Sequence, residues 1–429
     1  MSLKKYFSLA KFKLFPICRS ITGNGFLKSL KIIQNEIPSL KIYKVRSGTK
    51  VFDWKIPNEW NIRGAFIKDK NNKKIVDFKK NNLHVVNYSC PVHKIINKKK
   101  LLTKIHTIKN KKDSIPYVTS YYKRDWGFCI SESQKNKIIQ NYKSNDLFKI
   151  KIQSSLDKNG FLKYGEVILK GESKQEIFIS TYLCHPSMAN NELSGPIVTM
   201  ALIDFFKRKK LSKTLRFVFI PETIGSITYL QKNLKKLKKN IIAGYNLTCI
   251  GDNRMHSCML SKYKNKLADK SLIEAYKSLN VKFKIHSFLK NGSDERQYNS
   301  PGIDLPVASI FRSKFGTYPE YHTSKDDFKL VTLEGLRGGF NVAKKVIQIN
   351  LGKTIPKTKI LCEPQMSKRG LYPSLSTLKT MGSSKDIMNF LQYSDGNNDL
   401  IEISKLIKCT FNKTKKIFFL LKKNDLISN

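Results

Sequence analysis

The run Leu183-Cys-His185-Pro-Ser-Met-Ala-Asn190-Asn191-Glu192-Leu-Ser194-Gly195 sets an imidazole directly after an apolar, strand-like stretch, then follows it with amides and a carboxylate. In an α/β sheet, ligands sit outside the carboxyl ends of the strands, and imidazole beside side-chain oxygen is zinc-ligand chemistry. A packed histidine with Ser194 capping a helix explains the same letters, so the local sequence leaves both readings open. The next strand-like run ends in Ile220-Pro-Glu222-Thr-Ile-Gly225, a carboxylate able to hold a metal or move a proton. A third run ends in Ile250-Gly-Asp252, and Tyr318-Pro-Glu320-Tyr321-His322 supplies a second imidazole. His, Glu, Asp and His at four strand ends or adjoining loops, all on one sheet edge, are not what surface decoration gives.

The elements that must carry these groups alternate from about 143 to 355. Glu176–Leu183 and Leu215–Ile220 are short apolar runs of the buried-strand kind, and Ile197–Phe206 between them has helical spacing. Strand, helix, strand with buried strands is a βαβ unit, which predicts a parallel or mixed sheet flanked by helices. Residues 244–250 and 305–310 extend it. Upstream, a helix is expected after Gly23 and a strand at 40–45, and from about 46 to 130 short β-like runs separated by turn residues read as a small β-rich module. Beyond Pro356 comes a connector, Cys362–Pro373, followed by three short helices at 385–393, 400–408 and 412–423, the last two joined as in a helix-turn-helix. The stripe Ile417, Phe418, Leu420 and Leu421 predicts packing, whereas the lysines of the same helix would suit a major groove.

The chain has 429 residues and a formal charge of +48, from 80 Lys+Arg against 32 Asp+Glu, with 40% hydrophobic residues. That is too apolar for a disordered basic tail. Only 11 of the cations are Arg, the residue that phosphate and base recognition favours, so the excess of Lys argues against nucleic acid as the main partner. Eight scattered cysteines with no CxxC pair suit reduced thiols in a cytoplasmic protein. Lys11 and Lys13 interrupt any apolar leader, and no stretch approaches a membrane span, so no membrane insertion is expected.

The order of these motifs resembles the di-zinc exopeptidase superfamily, and more closely the bacterial aminopeptidase-like proteins of surface-polysaccharide gene clusters. The resemblance spans nearly the whole chain. It rests on Phe15–Gly23, Ser47–Trp54, Glu59–Arg63, Tyr121–Cys129, Cys184–Pro196, Gly292–Tyr298 and the His322 segment. It implies a zinc-exopeptidase-like α/β domain (1–45 and 131–356), a small β-rich inserted domain (46–130) and a winged-helix-like C-terminal domain (357–429). Residue by residue, it makes His185 the first zinc ligand and His322 the last. The bridging carboxylate's position, three before Ser194, holds Asn191, and a neutral amide bridges two Zn²⁺ ions poorly; Glu192 stands next door. Glu222-Thr-Ile-Gly225 against the superfamily's Glu-Glu-x-Gly makes Glu222 the base and Thr223 a lost ligand, while a shift of one residue makes Glu222 the ligand. Thr248 occupies the position of the remaining aspartate, for which Asp252 is carried over.

One zinc rather than two follows, with an open fourth position. On the substrate side, Asp294 is a candidate for a substrate ammonium or for a surface pair with Arg296. Arg124 and Trp126 are candidates for a clamp and a flat face over the pocket, or for a core Trp with a snorkelling Arg. Tyr321 is a candidate oxyanion donor or a packed ring. The leading expectation is a zinc-dependent aminopeptidase-like hydrolase acting on a peptide or amide bond of a small substrate, linked to surface polysaccharide biosynthesis by the resemblance. The alternatives are a catalytically degenerate metal- or ligand-binding protein of the same fold, and a nucleic-acid-binding regulator acting through the winged helix. The C-terminal domain is also a candidate surface for a homo-oligomer or a protein partner.

Overall fold

Two strands that are apolar on both faces form the middle of the main sheet. The computed structural model describes residues 2–371 and 378–428, with side chains from 384 onward in the second stretch. The sheet has eight strands: β1 (Lys41–Arg46), β2 (Phe161–Leu169), β3 (Ser173–Tyr182), β4 (Lys213–Ile220), β5 (Ile241–Leu247), β6 (Ser257–Met259), β7 (Lys284–His286) and β8 (Val307–Phe311). Their order is β1-β2-β4-β3-β5-β8-β6-β7. The inner four run parallel, with β3 in register from Ile179 against Phe217 to Tyr182 against Ile220, and antiparallel pairs close both sides. Every residue of β4 and β5 is buried, which is why these strands lack polar alternation.

Helices α1 (Ser194–Phe206), α2 (Ile224–Asn240), α3 (Leu267–Ser278) and α4 (Leu333–Gly352) flank the sheet, as the βαβ pattern predicts. The N-terminal helix Ser2–Leu9 and the wider turn Ala10–Leu14 after it bury Tyr6, Leu9, Ala10 and Leu14 in the main core. The expected helix after Gly23 spans Asn24–Glu36. The expected strand at 244–250 ends earlier, at Leu247, so Asp252 lies in a loop beyond it.

The small β module has its own antiparallel sheet of Glu59–Lys68, Lys74–Asp77, Val92–Asn97 and Leu147–Asp157. That last strand, together with the helix Glu132–Asn141, lies beyond the expected boundary at 130. The reason is in its side chains: Phe148, Ile150 and Ile152 alternate onto one face and join Ile138 in the module's separate core. The C-terminal helices are Leu378–Gln392, Leu400–Leu406 and Phe411–Lys423, with a short pair of strands, Lys357–Thr358 on Ile427–Ser428. Of the expected connector, Tyr372 and Pro373 lie outside the described residues. Ile417, Phe418 and Leu421 are buried with Phe390 and Ile403, so the apolar stripe packs this domain's core. Lys353 ties the domain to the sheet's helices by bridging Glu274 and Asp399, each at 3.0 Å.

Candidate metal and catalytic site

Strand β3 delivers the first imidazole. After Tyr182 the chain stays on the sheet for one more bond, Leu183 N to Ile220 O at 3.0 Å, then turns, so that His185 is buried above the strand ends. The turn is held from below by Arg19, fully buried, whose Nε donates to the His185 carbonyl at 3.2 Å. Glu192, from the π-helical turn Ala189–Leu193, fixes the ring. One carboxylate oxygen is in contact with His185 Nδ1, and the other accepts from the Cys184 backbone N–H at 2.6 Å. A carboxylate on Nδ1 sets the tautomer that leaves Nε2 free to bind a cation. That Nε2 lies 3.6 Å from Glu222 Oε2.

Glu222 follows β4. Its other oxygen accepts from Ser293 Oγ at 2.6 Å. Burial and the Asp294 carboxylate push its pKa up to about 8. The next residue, Thr223, adopts φ 62, a left-handed conformation that is costly for a β-branched side chain. Asp294 holds it there, accepting from Thr223 N at 2.7 Å and Ser226 Oγ at 2.9 Å at the start of α2. Asp294 is wholly buried, and burial raises its pKa to about 7. Its Oδ2, and Oε2 of the neighbouring Glu295, are buried without a hydrogen-bond partner.

The second imidazole comes from a loop that the small β module pins. Tyr117 N donates to the His322 carbonyl at 2.9 Å, and Pro116 pairs with Thr323. His322 has φ 54, and Tyr321 stacks flat on its ring at 3.9 Å. The two imidazole centroids are 5.3 Å apart, and the Tyr117 ring stands edge-on to both, at 4.6 and 5.2 Å. Burial pushes His322 down to about 4 and His185 well below its ordinary value, so both rings are neutral, the form that binds a metal.

Asn191 sits in the same turn with its side-chain Oδ1 buried and unpartnered. Its backbone N–H and that of Asn190 donate to Asp326 at 3.0 and 2.5 Å, and Thr248 Oγ1 donates to its carbonyl at 3.1 Å. Among the described residues, Cys184, His185 and Glu192 bring possible metal-ligand atoms within 4.8 Å of one another. Glu222 lies on the Nε2 side of His185 and the His322 ring centroid is 5.3 Å from that of His185, donor types that suit zinc. A buried orphan acceptor is costly unless a cation or donor completes it.

The other expected residues fall differently. Asp252 is not free to bind a metal: its two oxygens accept from Ser313 N (2.9 Å), Ser313 Oγ (2.7 Å), Arg254 N (3.0 Å) and Asn190 Nδ2 (3.1 Å). Starting beyond the end of β5, it braces loops instead. Asp294 makes no pair with Arg296 among the described residues, since it faces inward while Arg296 is exposed. Trp126 packs against the small module's core with Lys104 over its ring at 5.4 Å. Arg124 is exposed and lines a different cavity. Tyr117 stands outside every motif read from the sequence, and Arg19 and Asp326 stand inside two of them without a role that the local sequence assigns. Tyr117 reaches the site only through the packing of the two sheets, which no local spacing reveals.

This architecture, a mixed sheet with its polar groups at the strand ends, is that of the aminopeptidase-like α/β proteins, here with a winged helix appended. The zinc aminopeptidase BSAP of Bacillus subtilis shares the fold, with a TM-score of 0.60 at 12% identity over 82% of this chain and 95% of that one. The chain belongs to the family described as a domain of unknown function, DUF4910, which matches residues 7–351, and a winged helix-turn-helix family matches 353–429. A Clostridium acetobutylicum protein named for polysaccharide biosynthesis and an aminopeptidase-like domain is 41% identical over 409 residues, 94% of this chain and 91% of the relative. A solved Clostridium acetobutylicum structure, given as a candidate peptidase, has a TM-score of 0.79 and 38% identity, covering 100% of this chain and 96% of that one. Among the described residues no helix is long and apolar enough to cross a membrane.

Proposed function

We propose that the protein is a zinc-dependent aminopeptidase-like hydrolase that cleaves a peptide or amide bond next to a free amino group, on a small substrate of surface-glycan assembly. The observation that carries this reading is the cluster of half-buried Glu222, next to the neutral His185, with buried Asp294 and Glu295, whose Oδ2 and Oε2 lack a hydrogen-bond partner. Such a cluster calls for cations, and an exopeptidase supplies two: its metal and the substrate ammonium. His185, His322 and the Asn191 amide oxygen are the groups that would hold one zinc. When bound, zinc acidifies a water and polarises a carbonyl.

The remaining chemistry belongs to this chain. Glu222 takes a proton from the attacking water and returns it to the leaving amine; a cation beside it draws its raised pKa down, toward the range in which a base works at neutral pH. Glu192 keeps His185 Nε2 turned toward Glu222. The buried, unpartnered Oδ2 of Asp294 is the acceptor for the substrate ammonium, which reaches it only once the side chains covering it are displaced. Tyr117, edge-on to both imidazoles, closes the site from the side of the small module and excludes water. The link to glycan assembly is supported by the name of the Clostridium acetobutylicum relative.

Metal analysis and turnover of aminoacyl chromogenic amides, with and without zinc, test the proposal. About one zinc per chain is expected, as for a three-ligand site, with hydrolysis that a chelator stops and zinc restores. Folded protein that takes up no zinc would overturn it. Asn191 favours a second reading, a protein that has kept the fold and the metal without turnover; zinc uptake with no hydrolysis of any amide would establish that reading.

A further inference from the structure

We propose that a cavity lined by residues of the small β module binds a sugar-sized ring carrying a carboxylate or phosphate. The cavity holds about 720 Å³ and is walled by Lys55, Lys123, Arg124, Lys158, Tyr88 and Tyr122, with no Asp or Glu among its lining residues. None of these four cations has an ion-pair partner among the described residues. The cavity lined by residues of the His322 loop, of about 790 Å³, differs in carrying acids among its cations, Asp113, Glu320 and Asp327, and its Arg254 is clamped by Glu320 through two bonds of 2.8 Å.

Two features separate this cavity from a patch of surface charge. Tyr88 and Tyr122 both adopt left-handed backbone, at φ 73 and φ 62. That conformation is rare for a bulky residue, and strain of this kind gathers at ligand sites. One ring is locked and the other open. The Tyr88 hydroxyl donates to the Asn58 carbonyl, and its ring lies between Trp60 at 6.1 Å and Tyr121 at 5.7 Å. Tyr122 leaves 53% of its surface in water, with Trp54 against its edge at 5.4 Å. Flat aromatic faces suit a ring, and a guanidinium with three ammonium groups suits an acid on that ring.

The placement connects the cavity to the chemistry without depending on it. Tyr121, next in the chain to Tyr122, turns the other way and shares a 2.7 Å hydroxyl contact with Tyr117, the ring that flanks His185. An acid-bearing ring held at Tyr122 is therefore one residue away from the wall of the candidate metal site.

Calorimetric titration of the full chain tests this with four probes: glucuronate, glucose 1-phosphate, glucose and inorganic phosphate. Saturable binding of at least one sugar acid is expected at one site per chain, at least tenfold tighter than either glucose or inorganic phosphate; the tighter acid identifies the charged group. Arg124→Ala and Tyr122→Ala should each weaken it at least tenfold, while Lys28→Ala, outside the cavity, leaves it unchanged. Thermal melts confirm that each variant is folded. Equal binding of inorganic phosphate and the sugar acids, or equal weakening by Lys28→Ala and Arg124→Ala, would overturn the proposal by showing diffuse attraction to a basic surface. Failure here leaves zinc uptake and amide hydrolysis untouched, so the two proposals fail separately.

Discussion

Two charge clusters, one along the sheet and one in the loops beyond the end of β4, are built in opposite ways. Toward the start of β4, Arg216 meets Glu176 through two bonds (2.5 and 3.0 Å) and Glu166 through one (2.5 Å); Tyr229 and Asn240 complete the set. The guanidinium and both carboxylates are almost wholly buried, and every one of them has its counter-charge. Past the end of β4, roughly 20 Å further along by strand rise, Glu222, Asp294 and Glu295 gather with no Lys or Arg within ion-pairing distance among the described residues. The first cluster is finished on folding. The second is finished only by something that binds, which is how a fold marks a site apart from a strut.

The sharpest way to break that contrast is at the open cluster. His185→Ala should release zinc and abolish amide hydrolysis, and Glu222→Gln should lower turnover by about 10²–10⁴ while the zinc content holds. Loss of zinc in Glu222→Gln would move that residue into the ligand set. At the closed cluster the expected damage is to stability. Arg216→Ala leaves two buried carboxylates unpaired and should cost about 3–5 kcal/mol in chemical denaturation, whereas Asp294→Asn in metal-free protein should be neutral or stabilising. If both substitutions destabilise alike, the distinction between the clusters is wrong.

A smaller effect is expected at the residue that orients the imidazole. Glu192→Gln should weaken zinc about 10–100-fold, as outer-shell substitutions do, read by competition with a chromogenic chelator. The smallest is a slope. Asp294 is ordinarily at 3.8 and is raised to about 7 in the fold, so the folded state holds its proton more tightly than the unfolded one. Its contribution is complete below about 4 and is lost as pH rises through about 7. Because the lowered pKa values of His185 and His322 act in the opposite direction in both proteins, the readout is the difference: the melting temperature of metal-free wild type minus that of Asp294→Asn should fall over that window.

The parts of this molecule legible in the sequence are those in which a residue's role follows from its own segment. Strands β3 and β4 could be read because both faces are apolar, and His185, Glu222 and His322 because each ends such a run or stands in a polar loop beside it. Asp252 shows the limit. A carboxylate after a strand looks like a ligand until the loops around it are known, and Ser313, which uses both its oxygens, is 61 residues away. The strand Leu147–Asp157 lies inside the expected bounds of the larger domain, 131–356, yet pairs in the small module's sheet, because a strand's own pattern shows which face is buried and not which sheet it joins. Tyr117 and Arg19 act through packing between segments distant in the chain, and neither has a local signature.

The seam at Ile115–Tyr117 bears on how this fold can be taken apart. Ile115 and Ser324 exchange bonds of 2.9 and 3.0 Å, and Tyr117 grips the carbonyl of His322. The inserted module is thus a splint for the last imidazole. A shortened chain with residues 47–160 replaced by a turn would lose Val51, Ile56, Trp60 and Tyr88 from the main core and leave His322 held by Tyr321 and the Asp326 anchors alone, without the Tyr117 bond that fixes its carbonyl. Engineers trimming the protein, or lineages that have lost the module, would need another brace at Thr323 before the chemistry could return.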